Sequence, residues 1–514
     1  MKHRIALLLC TLFVPLLMNI AEAQPYRPGA PPPAGMPAYF TQPGTRELPP
    51  RYQPPPGPNA KARLAYWNEV ALRAIAVDHT LPYAGTGPAL MPEQLGPTRT
   101  SRVLAIVQLA IYDALNAIVK RYPGYSGALP AFGNSSQDAA IAQAAHDTLV
   151  ALYPRQAARF DAWLEADLAR LPNDRARRDG IDIGHRAAAA ILALRAADGA
   201  YYGEPVVGVD YQVSNAPGAW RPDPVSQIPI ALGAYWGDAR PFVLPSPLPY
   251  RAPPPPALTS EAYARAFAEV KTLGGDGVRT PTRRTREQTI AGIYWGYDGT
   301  AWVGTRPRLY NQIAMQLALT RCADPLELAR VLALVNVAIA DTTIAVWQSK
   351  YAYDFWRPVT AIREADPGTG PTGLGDGNPA TLGDPHWTPL GSPASNLTGP
   401  DFTPPFPAYV SGHAALGSAT FHMLRRLYGD AVPFTFVSDE FNGITRDSSG
   451  QVRPRLPRSF ASLSQAEEEN GQSRIYLGVH WRFDKEQGSA LARRIVDDVF
   501  ARGLLRPDTV RQGQ

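Results

Sequence analysis

Between residues 102 and 120, apolar side chains fall at Val103, Ile106, Val107, Ala110, Ile111, Leu115 and Ile118. Steps of three and four place them on one face of a helix. Thr100 or Ser101 is positioned to cap it. Ala- and Leu-rich stretches near 137–152, 156–171 and 182–197 keep the same rhythm. The pattern resumes near 260–273, where Thr259 or Ser260 starts the turn. It continues near 283–296, 308–321, 325–350, 413–428, 463–477 and 486–502. No strand-like alternation of comparable length interrupts it, and no short-period repeat is present. The pattern predicts an all-α fold of two tandem helical bundles, with Pro/Gly-rich loops between about 365 and 408.

The interruptions set the domain limits. Residues 1–23 begin with Lys2, His3 and Arg4, run apolar from Ile5 to Ile20, and end in Ala21-Glu22-Ala23. That order reads as a secretory signal peptide, and it predicts export to the periplasm or the medium. Residues 24–60 read as a Pro-rich arm, 61–242 as the first bundle, 243–257 as a Pro-rich linker and 258–505 as the second bundle. No stretch after the signal reads as long and apolar enough to cross a bilayer. Of the two cysteines, Cys10 lies within the signal, which leaves Cys322 without an intramolecular disulfide partner. It reads as an ordinary thiol. A hydrophobic content of 45% supports a sizeable core, and a net charge of only +5 with no basic stripe does not argue for a nucleic-acid partner, though it leaves room for a local positive pocket.

Three segments carry polar residues that a packed helical protein does not need. In the first, Lys350 and Arg357 lie seven apart, ahead of Pro358. On one helix that is two turns, so both cations would share a face, and two cations on one face repel unless an anion joins them. In the second, a Pro-rich approach through Phe406 leads into Ser411-Gly412-His413 at the start of a helix. Ser411 suits an N-cap, and the free amides beyond it suit an anion. In the third, Arg474 offers a planar fork for an oxyanion and His480 offers a ring nitrogen. If the chain is helical from His480 onward, Asp484 sits one turn later and can hold the other nitrogen. Each segment alone is also compatible with a solvated face, a plain cap or a core histidine.

In order, Lys-x6-Arg-Pro, Ser-Gly-His and Ser-Arg-x5-His-x3-Asp resemble the signature of the vanadium-dependent haloperoxidases and the type 2 phosphatidic acid phosphatase superfamily. The stretches around Asp298-Gly299-Thr300, Tyr310-Asn311-Gln312-Ile313 and Leu477 to Asp484 resemble the fungal vanadium chloroperoxidases. The resemblance covers roughly residues 285–500. It implies the helical bundle fold of that family, with vanadate as cofactor in a site that phosphate can also occupy. It implies His480 as the vanadium ligand and His413 as the general acid–base. Lys350, Arg357, Ser411, Gly412 and Arg474 would hold the oxyanion, Asp298 would orient the arginines, and Trp347 and Phe406 would form the halide pocket. The implied partners are hydrogen peroxide, a halide and a small organic acceptor, with hypohalous acid as product.

Two other readings share the oxyanion contacts. One is an exported acid phosphatase with His480 as phosphoryl nucleophile and His413 protonating the leaving group. The other is a non-catalytic relative that keeps the anion site for binding. Trp347 and Phe406 favour the haloperoxidase, since a phosphatase does not require them, and no ligand is missing. Val410 stands where many relatives have Pro before Ser-Gly-His, which predicts a looser approach loop. His146, His185 and His386 read as structural or surface residues.

Overall fold

A computed structural model of the chain describes residues 34, 36, 59–80 and 91–502. The expected signal peptide, nearly all of the expected arm and the last residues of the second bundle lie outside the described residues. Ordered along the chain are α1 (Ala60–Asp78), α2 (Gly96–Val119), α3 (Gln137–Leu152), α4 (Ala157–Leu168) and α5 (Arg175–Arg195). A long irregular stretch then leads to α6 (Glu261–Leu273) and α7 (Arg286–Tyr294). A short hairpin, β1 (Asp298–Thr300) with β2 (Gly304–Thr305), precedes α8 (Arg306–Arg321), α9 (Pro325–Tyr353) and α10 (Pro358–Arg363). The chain ends with α11 (Gly412–Tyr428), the hairpin β3 (Phe434–Asn442) and β4 (Arg455–Phe460), then α12 (Leu463–Tyr476) and α13 (Arg482–Ala501).

The predicted all-α class holds, with two corrections from the strands and one from a cap. β3 was not expected, because its inward positions are not all apolar. Phe434 and Phe436 point in, but so do Ser438 and Glu440. Ser438 donates to the Tyr294 carbonyl and Glu440 pairs with Arg453, so partners rather than oiliness bury them. The β1–β2 hairpin is too short for alternation to show. Thr100 and Ser101 do not cap α2, which begins earlier, at Gly96, with Pro97 in its first turn. Proline has no N–H to orphan there, and the Gly96 amide donates instead to His79 Nε2 at 3.2 Å. Thr100 and Ser101 turn their hydroxyls back onto the Gly96 and Thr98 carbonyls. By contrast Ser260 caps α6 as expected.

One continuous apolar core runs through both halves of the chain. Its axis is α9, whose 29 residues span about 44 Å at 1.5 Å per residue. α9 packs against α2 on one side and against α11 and α13 on the other. α2 and α9 correct a sequence expectation, for both are long and apolar enough to cross a bilayer, yet 94% of the relevant window of each is buried inside the protein. They are core helices. The Pro-rich segment 243–257 lies along α9. The amides of Phe242, Val243 and Leu244 donate to the Asp341 carboxylate, and the Ala252 amide donates to Ser349 Oγ. Asp341 is thus a polar clasp in the middle of an apolar helix.

Candidate active site

All the chemistry-bearing residues singled out in the second half of the chain, from Asp298 to Asp484, converge at the end of α9. The route differs from the expected one for the first pair. α9 stops at Tyr353, where Asp354 adopts a left-handed conformation (φ 47°) and turns the chain. Arg357 is therefore not on Lys350's helix face. It stands in extended backbone as the N-cap of α10, with Pro358 in the first turn. The two cations meet because the chain folds back. The carbonyls of the Pro-rich approach hold both. Lys350 Nζ donates to the Pro407 and Ala408 carbonyls at 2.7 and 3.0 Å. Arg357 Nε donates to the Phe406 carbonyl at 2.9 Å, and its Nη atoms donate to Val479 and Pro404.

Ser411 caps α11, and its backbone amide donates to the Asp484 carbonyl, which ties α11 to α13. Gly412 is the first helical residue, at the positive end of the helix dipole. A Cβ there would lie 3.0 Å from Arg306 Nη1 and 3.4 Å from the Trp347 ring, so a larger residue would push the cation back from the amide by a few tenths of an ångström. His413 is completely buried, and its Nε2 lies 2.6 Å from the Gly296 carbonyl. A carbonyl only accepts, so Nε2 carries the proton and Nδ1 presents a lone pair, for which no hydrogen-bond partner is found. Tyr310 and Asn470 both donate to the His413 carbonyl and fix the first turn.

The third segment also assembles. Trp481 caps α13, and Asp484 Oδ2 accepts from the Trp481 amide and from His480 Nδ1 at 2.8 Å. Arg357 Nη1 lies 3.0 Å from His480 Nε2. A guanidinium only donates, so Nε2 bears the lone pair and Nδ1–H points at Asp484. Arg474 donates through both Nη atoms to Asp298, at 3.0 and 3.3 Å, and to Ser392 Oγ.

Sequence reasoning missed Arg306. It is the first residue of α8, buried, 3.7 Å from Asp298, and it reaches Gly412. The available signal was Arg306-Pro307, the same Arg-Pro step at a helix start that places Arg357. Phe406 is the apolar hub, with Lys350, Arg357 and Arg306 centred 5.0, 4.9 and 5.9 Å from its ring. Trp347 packs behind it at 5.1 Å, with its indole N–H donating to the Leu232 carbonyl. Trp347 does not line the open cavity beside the site, whereas Phe406 does. His386 is exposed, and His146 and His185 pair with Asp147, all apart from this cluster. Cys322 is buried at the end of α8 beside the Tyr428 hydroxyl.

Four buried cations, Lys350, Arg357, Arg474 and Arg306, thus face two buried carboxylates, Asp298 and Asp484. Burial and the neighbouring Arg357 push the Lys350 ammonium well down, and burial pushes Arg306 down to about 10. Burial and the adjacent cations drive both histidines well below the ordinary imidazole range, so both are neutral at neutral pH. Burial pushes Asp484 up. Arg306 Nε, Arg474 Nε and His413 Nδ1 are buried without partners. The two guanidinium donors, unpaired and out of water, fit a multiply charged oxyanion that would supply their acceptors, and the His413 Nδ1 lone pair can take a proton there. Among the described residues no group of three or more His, Cys, Asp or Glu could hold a metal cation.

Comparison with known proteins agrees with this geometry. Residues 330–504 match the family described as the VCPO second helical-bundle domain. The vanadium chloroperoxidase of Curvularia inaequalis is 32% identical, over 85% of this chain and 81% of its own. A bacterial vanadium-dependent iodoperoxidase superposes with a TM-score of 0.67 at 21% identity, covering 86% of this chain and 97% of that one. A holo-type bacterial vanadium-dependent chloroperoxidase gives 0.57 at 19%, covering 79% and 92%. The two solved structures establish a shared fold, and the extent of the similarity to the fungal enzyme establishes that the chain belongs to the vanadium-dependent haloperoxidase family.

Proposed function

We propose that this protein is a vanadate-dependent haloperoxidase that oxidises halide with hydrogen peroxide to hypohalous acid. The observation that carries it is the buried excess of cations with unpaired donors around two neutral histidines. When bound, vanadate supplies a Lewis-acid centre that polarises peroxide toward a halide without changing oxidation state. The protein's own groups do the rest. His480 offers its Nε2 lone pair as the single protein ligand, with Asp484 fixing the tautomer. Lys350, Arg357, Arg474, Arg306, Ser411 and the Gly412 amide hold the oxyanion charge in a dry, preset array. His413 accepts a proton from peroxide at Nδ1, while Nε2–H stays on the Gly296 carbonyl. Phe406, with Trp347 behind it, gives the halide a surface that is apolar yet flanked by cations. Asp298 orients Arg474.

The test is halide- and peroxide-dependent oxidation by the vanadate-free protein, with orthovanadate added or withheld and phosphate excluded. Hydrolysis of p-nitrophenyl phosphate is followed in parallel. Activity that requires vanadate and disappears in His480→Ala is expected. Phosphate-ester cleavage without halide oxidation would overturn the reading in favour of an acid phosphatase.

The same proposal includes export and a small organic acceptor. The basic start, apolar run and Ala21-Glu22-Ala23 support cleavage after residue 23. N-terminal sequencing of the mature protein should therefore begin at Gln24.

A further inference from the structure

The carbonyl that holds His413 is itself held. Gly296 and Tyr297 share one planar peptide unit, whose two polar ends face in opposite directions. Its carbonyl end accepts from His413 Nε2 at 2.6 Å, and its N–H end donates to Glu440 Oε1 at 3.1 Å. Glu440 stands on β3 and is completely buried. Its other oxygen, Oε2, accepts from Arg453 Nη1 at 2.7 Å and from the Ser395 hydroxyl. Three donors address this side chain, as suits an ionised carboxylate. Burial pushes the Glu440 carboxyl up, and Arg453, Ser395 and the Tyr297 amide oppose that shift. β3 grips Tyr297 a second time through the Asp439 amide, which donates to the Tyr297 hydroxyl at 2.7 Å. The grip has work to do, because the Tyr297 backbone is left-handed (φ 51°), a conformation that a Cβ disfavours. A Cβ on Gly296 would lie 2.5 Å from Glu440 Oε1 and 2.8 Å from Pro393 Cγ, so a side chain there would force the carboxylate away.

Hydrogen bonds strung through a peptide polarise one another. Negative charge at the N–H end makes the carbonyl oxygen a better acceptor, which keeps the His413 proton on Nε2 and the lone pair on Nδ1. We propose that Glu440 is a positioning residue for His413, acting through the Gly296–Tyr297 peptide to fix the tautomer and orientation of the ring. The inference rests on the function proposed above, in which His413 accepts the peroxide proton at Nδ1. The ring becomes a cation in that step, beside the cations Arg306 and Arg474, and the carboxylate at the far end of the peptide offsets part of their repulsion. The hydrogen-bond partners of Glu440 include none of the groups assigned to the oxyanion. Its effect therefore falls on proton transfer and not on anion binding.

The experiment uses the full chain. In the vanadate-free protein with isotope-labelled histidine, the NMR signal of the His413 ring is identified by its loss in His413→Ala. A wild-type ring with its proton on Nε2, shifted downfield and slow to exchange, is expected. In Glu440→Gln, which keeps the volume and removes the charge, that proton should move upfield and exchange faster. In Glu440→Asp, which keeps the charge, it should stay nearer its wild-type position. With vanadate loaded, kcat for triiodide formation should fall about tenfold in Glu440→Gln and less in Glu440→Asp. The KM for iodide and the dissociation constant for orthophosphate should stay within about twofold of wild type. A proton on Nδ1 in the wild type would overturn the proposal, whether or not any variant folds. So would a folded Glu440→Gln whose His413 signal or kcat is unchanged. Phosphate binding that weakens as much as kcat falls would also sink it, since that marks a general loosening of the site. Absence of halide oxidation in the wild type counts against the haloperoxidase reading alone, and the His413 signal still decides whether Glu440 holds the ring.

Discussion

A buried cluster of arginine and aspartate around Asp198 in the first half of the chain and one around Asp298 in the second are built differently. In the first half, Arg102 and Arg195 converge on Asp198, with Nε atoms at 2.7 and 2.8 Å. Their remaining donors close on main-chain carbonyls of Arg195, Pro241 and Arg240. The cluster is finished and clamps the end of α5 to the chain that follows. In the second half, Arg474 and Arg306 converge on Asp298, yet the Nε of each has no partner, and Lys350 and Arg357 add charge nearby. Two arginines meet one aspartate at the centre of both. What separates a structural cluster from a functional one is the state of the leftover donors, which either find carbonyls or wait for a ligand.

The largest effect should come from removing each central carboxylate. Asp198→Asn and Asp298→Asn should each cost roughly 3–5 kcal/mol in urea unfolding, because each leaves buried guanidinium charge uncompensated. Orthophosphate should then stabilise Asp298→Asn more than it stabilises wild type, and Asp198→Asn no more than wild type. Equal gains in both variants would erase the distinction. Next, His480→Ala should lower halide oxidation by about 100-fold or more, and Asp484→Asn, which only holds the ring, by about 10- to 100-fold. Stopped-assay triiodide formation reads both.

A saturating oxyanion should raise wild-type stability by about 2.7 kcal/mol at one hundred times its dissociation constant, and clearly less in Lys350→Met. Phosphate titration followed by thermal melting checks this. The smallest effect is that of pH. His413 and His480 are neutral when folded and protonate when unfolded, so the unfolded chain binds more protons below about pH 6.5 and stability falls there as pH drops. From pH 6.5 to 5.5 the loss should be about 1 kcal/mol per histidine in the anion-free protein, and smaller with phosphate bound. His79, pushed down to about 4 by burial, adds a loss of the same sign that phosphate does not relieve. Melts across that pH range, with and without phosphate, give the comparison.

The helices were legible in the sequence because α9 and α11 bury broad apolar faces, and period alone reports that. The oxyanion residues were legible because Lys350, Ser411-Gly412-His413 and His480 have little structural reason to sit in oily surroundings. What periodicity could not show was contact between distant segments. The pairing of Lys350 with Arg357 seemed to need a shared helix face, whereas a left-handed Asp354 breaks α9 and a second helix start delivers the arginine. Arg306 lies 44 residues before Lys350, its one sequence signal is the Arg-Pro step it shares with Arg357, and only the fold brings it to Gly412. β3 was hidden because Ser438 and Glu440 point inward as polar residues with private partners.

The unpaired donors around Gly412 recognise charge and tetrahedral shape, and nothing in that recognition is peculiar to vanadium. Phosphate offers the same oxygens, so the identity of the occupant becomes a contest of supply. Each tenfold rise in phosphate over vanadate shifts the balance by about 1.4 kcal/mol. The working fraction of this enzyme is then set outside the protein, by the phosphate content of the water around it. Surroundings poor in phosphate would favour the active enzyme, and rich ones would hold it folded, stable and idle.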